Sequence, residues 1–188
     1  MLNQHAHEFV QAWVQKATRH RAKTLSGAYD RFFTLFVAYN ALYTQATNQL
    51  LNRSVIEERD ISERRSATEF VVEITGASRL RAHIRQHSQD SVAALLKALE
   101  IDGHHVCIGR RTGLPDADKE RELIAQIKSH DDRAHALALL TVIYQIRCNM
   151  FHGHKVYAHV QIAPLRAAGD LLASVVALLH ARLLAGEA

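Results

Sequence analysis

The chain has 188 residues, 48 % of them hydrophobic and 22 % charged, which is enough apolar material for one cored domain. Only 2 prolines and 8 glycines are present, too few for the many tight turns of a sandwich or barrel, so helices are expected. A formal charge of +4 and a pI near 9.3, with 13 histidines outside that sum, permit a polyanionic partner without demanding one.

In chain order, the spacing predicts a first helix over about Gln4 to Lys23 and a second over about Gly27 to Leu51. In the second, Phe32, Leu35, Phe36, Tyr39, Leu42, Tyr43, Ala46 and Leu50 recur at helical spacing as one apolar stripe, with Asn40 at its margin. From Asn52 to Gln89 charge rises and periodicity weakens. Asp60 with Glu63 reads as a capping box that opens a short helix ending near Gly76. A further helix is expected from about Arg79 to Glu100, with a break near Ser88, and then a loop from Asp102 to Asp116. Helices over about Ala117 to Ser129 and Asp132 to Phe151 follow. The second of these is apolar nearly all round and so central, with Gly153 as its C-terminal cap. The last helix opens with Pro164 in its first turn and ends before Gly186. Its row of Leu165, Ala168, Leu172, Val176, Leu179 and Leu183 suits either a bundle seam or a subunit contact.

Cys107 and Cys148 form no CxxC pattern, no basic start followed by an apolar run marks a secretory signal, and the apolar stretch Leu171 to Ala185 is interrupted by His180 and Arg182. The expectation is a soluble, cytoplasmic protein without a membrane segment. Basic residues cluster at Arg19, His20, Arg21 and Lys23, at Arg79, Arg81, His83, Arg85 and His87, and at Arg110 and Arg111. Such clusters fit solvated helix faces or a surface that tracks phosphates, and Arg79, Arg81 and Arg85 are the candidates for the second role. His104, His105 and Cys107 match no zinc framework, so neither a metal site nor a cofactor is expected. No nucleophile elbow or phosphate loop is visible.

The segment from Ile143 to His154 is the most informative. At 100° per residue Arg147 shares its face with Leu140, Ile143, Tyr144 and Phe151. An arginine there needs an anionic or carbonyl partner, because it cannot shed its proton. Gln145, Asn149 and His152 fall on a narrower polar side. Arg147 and His152 stand about 140° and roughly 7.5 Å apart on an ideal helix, so they meet only through long side chains, a loosened last turn, or a second subunit. A core carboxylate paired with Arg147, and a His152 favoured by the helix dipole, account for the same residues without any site.

Arg147-Cys148-Asn149-Met150-Phe151-His152-Gly153 resembles the RxNxxHG form of the Rx4-6H motif of HEPN domains. Ile143-Tyr144-Gln145-Ile146 is similar to the usual lead-in, and Phe33 to Tyr43 to the aromatic-rich early helix of one branch of that family. The resemblance implies an all-α, up-and-down helical bundle of HEPN type over residues 1–188, with about 52–116 as a helical insertion. It implies a homodimer with facing motif helices, RNA as substrate, and metal-independent endoribonuclease activity of the kind found in toxins and defence effectors, which act with an antitoxin or other protein partner. The alternative within the same family is a non-catalytic module that binds RNA, a nucleotide or a protein. Carried onto this chain, Arg147 would stabilise the phosphate charge, His152 would act as acid or base, and Asn149 would orient the phosphate or His152. Asn40, Tyr144 and His154 are the further substrate-binding candidates, His154 because it satisfies the longer spacing of the motif. Cys148 stands where many members have asparagine. The tyrosine that some members carry two residues past the histidine is missing, since Tyr157 lies further on.

Overall fold

The computed structural model describes residues 2–20, 22–100, 105–109, 112–151 and 161–186. Among these the protein is all-helical, apart from an isolated antiparallel bridge between Ile108 and Pro115. Helix α1 (Gln4–Thr18) begins where the Asn3 side chain accepts the Ala6 amide at 2.7 Å, and α2 (Leu25–Asn52) where Thr24 accepts the amide of Gly27 at 3.0 Å. The first helix is therefore shorter than its spacing suggested. Thr24 caps a new helix immediately after the run of basic residues.

The charged stretch after α2 folds into small helical pieces. A single 3₁₀ turn over Glu58–Asp60 is closed by a box between Glu57 and Asp60, with Asp60 accepting the Glu57 amide at 3.0 Å. Helix α3 (Glu63–Ala67) is capped by Ser62, which accepts the Arg65 amide at 3.2 Å. The expected Asp60–Glu63 box is thus replaced by two separate caps, which leaves the Glu63 carboxylate free to point elsewhere. Helix α4 (Glu69–Thr75) follows a break at Thr68, and Gly76, at φ 78°, turns the chain into α5 (Ala77–His87). Ser88 separates α5 from α6 (Gln89–Glu100), where the sequence suggested a break.

Helix α7 (Ala117–Lys128) is capped by Asp116. Helix α8 (Asp132–Phe151) and helix α9 (Ile162–Ala185) complete the bundle, and Gly186 closes α9 in the left-handed conformation. The centre is α2, packed between α1 and α9, while α9 also lies against α4, α5 and α6. Helix α8 packs on α7 and α5 and touches α3 and α4. The apolar stripe of α2 is buried along its whole length. Phe70, Val71, Val72, Ile74, Leu80, Ile84, Leu95 and Leu99 from α4 to α6 join the same core.

The α9 row is interior: Leu165, Ala168, Leu172, Val176, Leu179 and Leu183 are each 4 % exposed or less. It is a bundle seam and cannot serve as a subunit surface without opening the core. The helix itself is longer than its apolar stretch suggested. At 24 residues it is long and apolar enough by length and composition to cross a membrane, yet 56 % of the most apolar window is buried inside the protein. Packing against α2 and α6 accounts for that apolarity.

Candidate functional site

Arg147 lies in the last turn but one of α8, on the side that meets α2 and α3. Its Nη2 is 2.8 Å from Glu63 Oε1, and Glu63 is the first residue of α3. The guanidinium carbon sits 4.5 Å from the centre of the Phe151 ring and 5.5 Å from that of Phe36, so the cation lies over two aromatic rings. The Tyr144 hydroxyl donates to Glu63 Oε2 at 3.3 Å, and the Tyr43 hydroxyl reaches Glu63 Oε1 at 3.5 Å. Two helices, α8 and α2, therefore converge on one carboxylate carried by α3.

This cluster is a rim feature. The Arg147 side chain is 20 % exposed and that of Glu63 is 44 % exposed, so the partner that Arg147 requires is a solvent-facing carboxylate and not a core one. Arg147 Nε is buried without a hydrogen-bond partner, an unusual condition for a charged donor. Burial, followed by Cys148 and Glu63, pushes the Tyr144 phenol up to about 12. Burial and then the Glu63 charge raise Tyr43 as well. Both tyrosines are thus neutral hydroxyl donors at ordinary pH. Around Tyr43 the α2 rings form an edge-to-face ladder, Phe36 to Tyr39 at 5.7 Å and Tyr39 to Tyr43 at 5.3 Å, which fixes the wall behind the cluster. The Tyr39 hydroxyl donates to the Ala67 carbonyl at 2.5 Å, where the break between α3 and α4 leaves that carbonyl available. This bond ties α3, and so Glu63, to α2.

The candidates read from the sequence divide. Arg147 and Tyr144 come together. Asn149 does not join them: it is 4 % exposed, and its Nδ2 donates at 2.8 Å to the carbonyl of Val106, in the segment before α7. Its place on the opposite side of α8 makes it a tether for that segment. His152 and His154 lie outside the described residues, as do His104, Arg110 and Arg111. Asn40 is exposed on α2, in line with Phe33 two turns away. Arg79, Arg81 and Arg85 are on α5, away from the cluster. Arg81 donates to Asp132 Oδ1 at 3.0 Å and to the His130 carbonyl at 2.8 Å, at the opposite end of α8 and about 22 Å along its axis from Arg147. Arg81 is a helix-to-helix brace, while Arg79 and Arg85 are exposed.

Glu63, Tyr43 and Phe36 were not singled out as site residues from the sequence. An arginine on an apolar face signalled that a carboxylate was needed, but nothing in the spacing chose one among 19 acidic residues. At the same end of α8 but on its opposite side, where Asn149 holds Val106, His105 Nδ1 meets Glu120 Oε2 at 2.6 Å, and burial, then the Glu120 charge, push the Cys107 thiol up to about 11. A thiol in that state is no ready nucleophile. Among the described residues no group of three His, Cys, Asp or Glu side chains is placed to hold a metal ion.

In comparisons with known proteins, the chain matches no family model, no curated protein and no solved structure.

Proposed function

We propose that the chain is a metal-independent endoribonuclease of HEPN type, acting on RNA at the C-terminal end of α8 and completed by a second copy of itself. The observation that carries this reading is the state of Arg147: a guanidinium over the rings of Phe36 and Phe151 at the rim, five residues before His152, its charge answered by a carboxylate that solvent and substrate can both reach. In the proposed reaction the ribose 2′-oxygen attacks phosphorus and the bond to the 5′-oxygen breaks. Arg147 draws the charge that builds on the phosphoryl oxygens, and displaces Glu63 toward solvent to do so. His152 takes the 2′-hydroxyl proton or protonates the departing 5′-oxygen, and the other of these two proton transfers goes through water or the second copy. The products are a 2′,3′-cyclic phosphate and a 5′-hydroxyl.

A non-catalytic RNA-binding module is the second reading, and the orientation of Asn149 favours it, because a side chain bonded to Val106 is not available to orient a phosphate. Purified protein incubated with mixed RNA in EDTA separates the two. Cleavage by the wild type, lost about 10²–10⁴-fold in His152→Ala, supports the enzyme. RNA retained on the protein without cleavage, and released by Arg147→Ala, supports the binding module. Neither outcome would leave the family reading standing without a nucleic-acid role.

A further inference from the structure

Beside the Arg147–Glu63 pair two phenylalanines lie open. Phe33 on α2 is 44 % exposed and Phe151, the last residue of α8, is 55 % exposed, and their ring centres are 5.5 Å apart at 34°. Phe151 carries the guanidinium against its ring at 4.5 Å, so one aromatic group links the exposed apolar pair to the cation. We propose that Phe33 and Phe151 form a stacking shelf for an unpaired nucleobase whose own phosphate is held by Arg147. This assignment rests on the RNA reading of the same site and specifies its substrate as single-stranded RNA.

Three features of the surface select that occupant. The chemistry is bipartite: a flat apolar area adjoins the Arg147 guanidinium, which rests on Phe151 and pairs with the half-exposed Glu63 carboxylate. A purely apolar partner would leave those groups desolvated and poorly paired. The exposed aromatic area is also small. Two half-exposed phenylalanines present on the order of 200 Å², far below the roughly 800 Å² per partner of a stable protein contact. That area matches the faces of one or two bases. Finally, stacking on aromatic rings requires a base that has left its helix, which a duplex does not supply.

The test uses short 2′-O-methyl oligoribonucleotides, which lack the attacking hydroxyl and so report binding alone. One contains 2-aminopurine, one is abasic throughout, and one is annealed to its complement. The wild type is expected to bind the single strand, to quench 2-aminopurine, and to bind the duplex and the abasic strand weakly. Phe33→Leu with Phe151→Leu keeps apolar bulk and removes the rings. It should lower affinity for the base-bearing strand about 5- to 150-fold while leaving the abasic strand unaffected. Phe151→Trp should retain binding, with its indole fluorescence quenched by the strand, and serves if the double variant does not fold. If the Leu variants bind the base-bearing strand as the wild type does while Arg147→Ala loses it, the shelf is refuted and the RNA reading survives. If the wild type binds none of the strands, both fall. If the Leu variants instead change the sedimentation of the free protein, the rings belong to a subunit contact and the shelf is likewise refuted.

Discussion

Glu63 accepts from three directions at once: Arg147 Nη2 lies 2.8 Å from one carboxylate oxygen, the Tyr144 hydroxyl donates to the other at 3.3 Å, and Tyr43 approaches at 3.5 Å. A carboxylate in that position competes with any phosphate for the same guanidinium. Glu63→Gln should therefore tighten binding of short RNA up to about fivefold at low salt, the range expected for removing a half-exposed ion pair. Stability should change by less than about 1 kcal/mol, because the pair is open to solvent. Weaker RNA binding in Glu63→Gln would mean that the carboxylate positions Arg147 for its ligand and does not oppose it.

Tyr39 is 1 % exposed and its hydroxyl donates to the Ala67 carbonyl. Tyr39→Phe should destabilise the fold by about 1–3 kcal/mol, since it leaves a buried carbonyl without its donor. Denaturant unfolding measures this, and an unchanged midpoint would show that water takes the place of the hydroxyl.

Asn149→Ala should loosen the segment preceding α7, because the Asn149 amide is what holds the Val106 carbonyl to α8. Faster amide exchange at residues 105–109 is the expected signature, with a loss of roughly 1 kcal/mol in stability. If the enzyme reading holds, cleavage should fall far less than in His152→Ala. An equal loss of activity in a variant of wild-type stability would restore Asn149 to the chemistry.

His83, His135 and His180 are each held below the ordinary imidazole value of 6.5, with burial as the first cause in every case. For His83 the neighbouring His87 adds to the effect, and for His180 the stacked His7 does so, with their ring nitrogens 2.9 Å apart. These groups are neutral in the fold and gain protons more readily when unfolded. Stability is then fully present above about pH 6.5 and declines as the pH falls below it. Thermal unfolding followed from about pH 7.5 down to 5.5 should show a falling midpoint, and His180→Gln should reduce that slope. A midpoint that rises on acidification would contradict the burial argument.

Helix positions were legible where one periodic pattern coincided with a local cap or break. The α2 stripe from Phe32 to Leu50, the interruption at Ser88 and the Gly186 stop are of this kind, because each is decided by neighbours a few residues away. The demand of Arg147 for an anion was legible for the same reason, from the apolar residues on its own helix face. What the sequence left open was every relation across helices. The α9 row suited a seam or a subunit contact equally until burial against α2 and α6 made it interior. Asn149, on the narrower polar side of α8, turned out to be bonded to Val106 because a loop distant in the chain crosses there. Glu63 became the partner of Arg147 because α3 packs against α2 and α8, with Tyr39 bonded to Ala67, which brings the first residue of α3 to the end of α8. Local periodicity is set by backbone geometry and read along the chain, whereas the choice of an ion-pair partner depends on how separate helices pack, which only the tertiary structure decides.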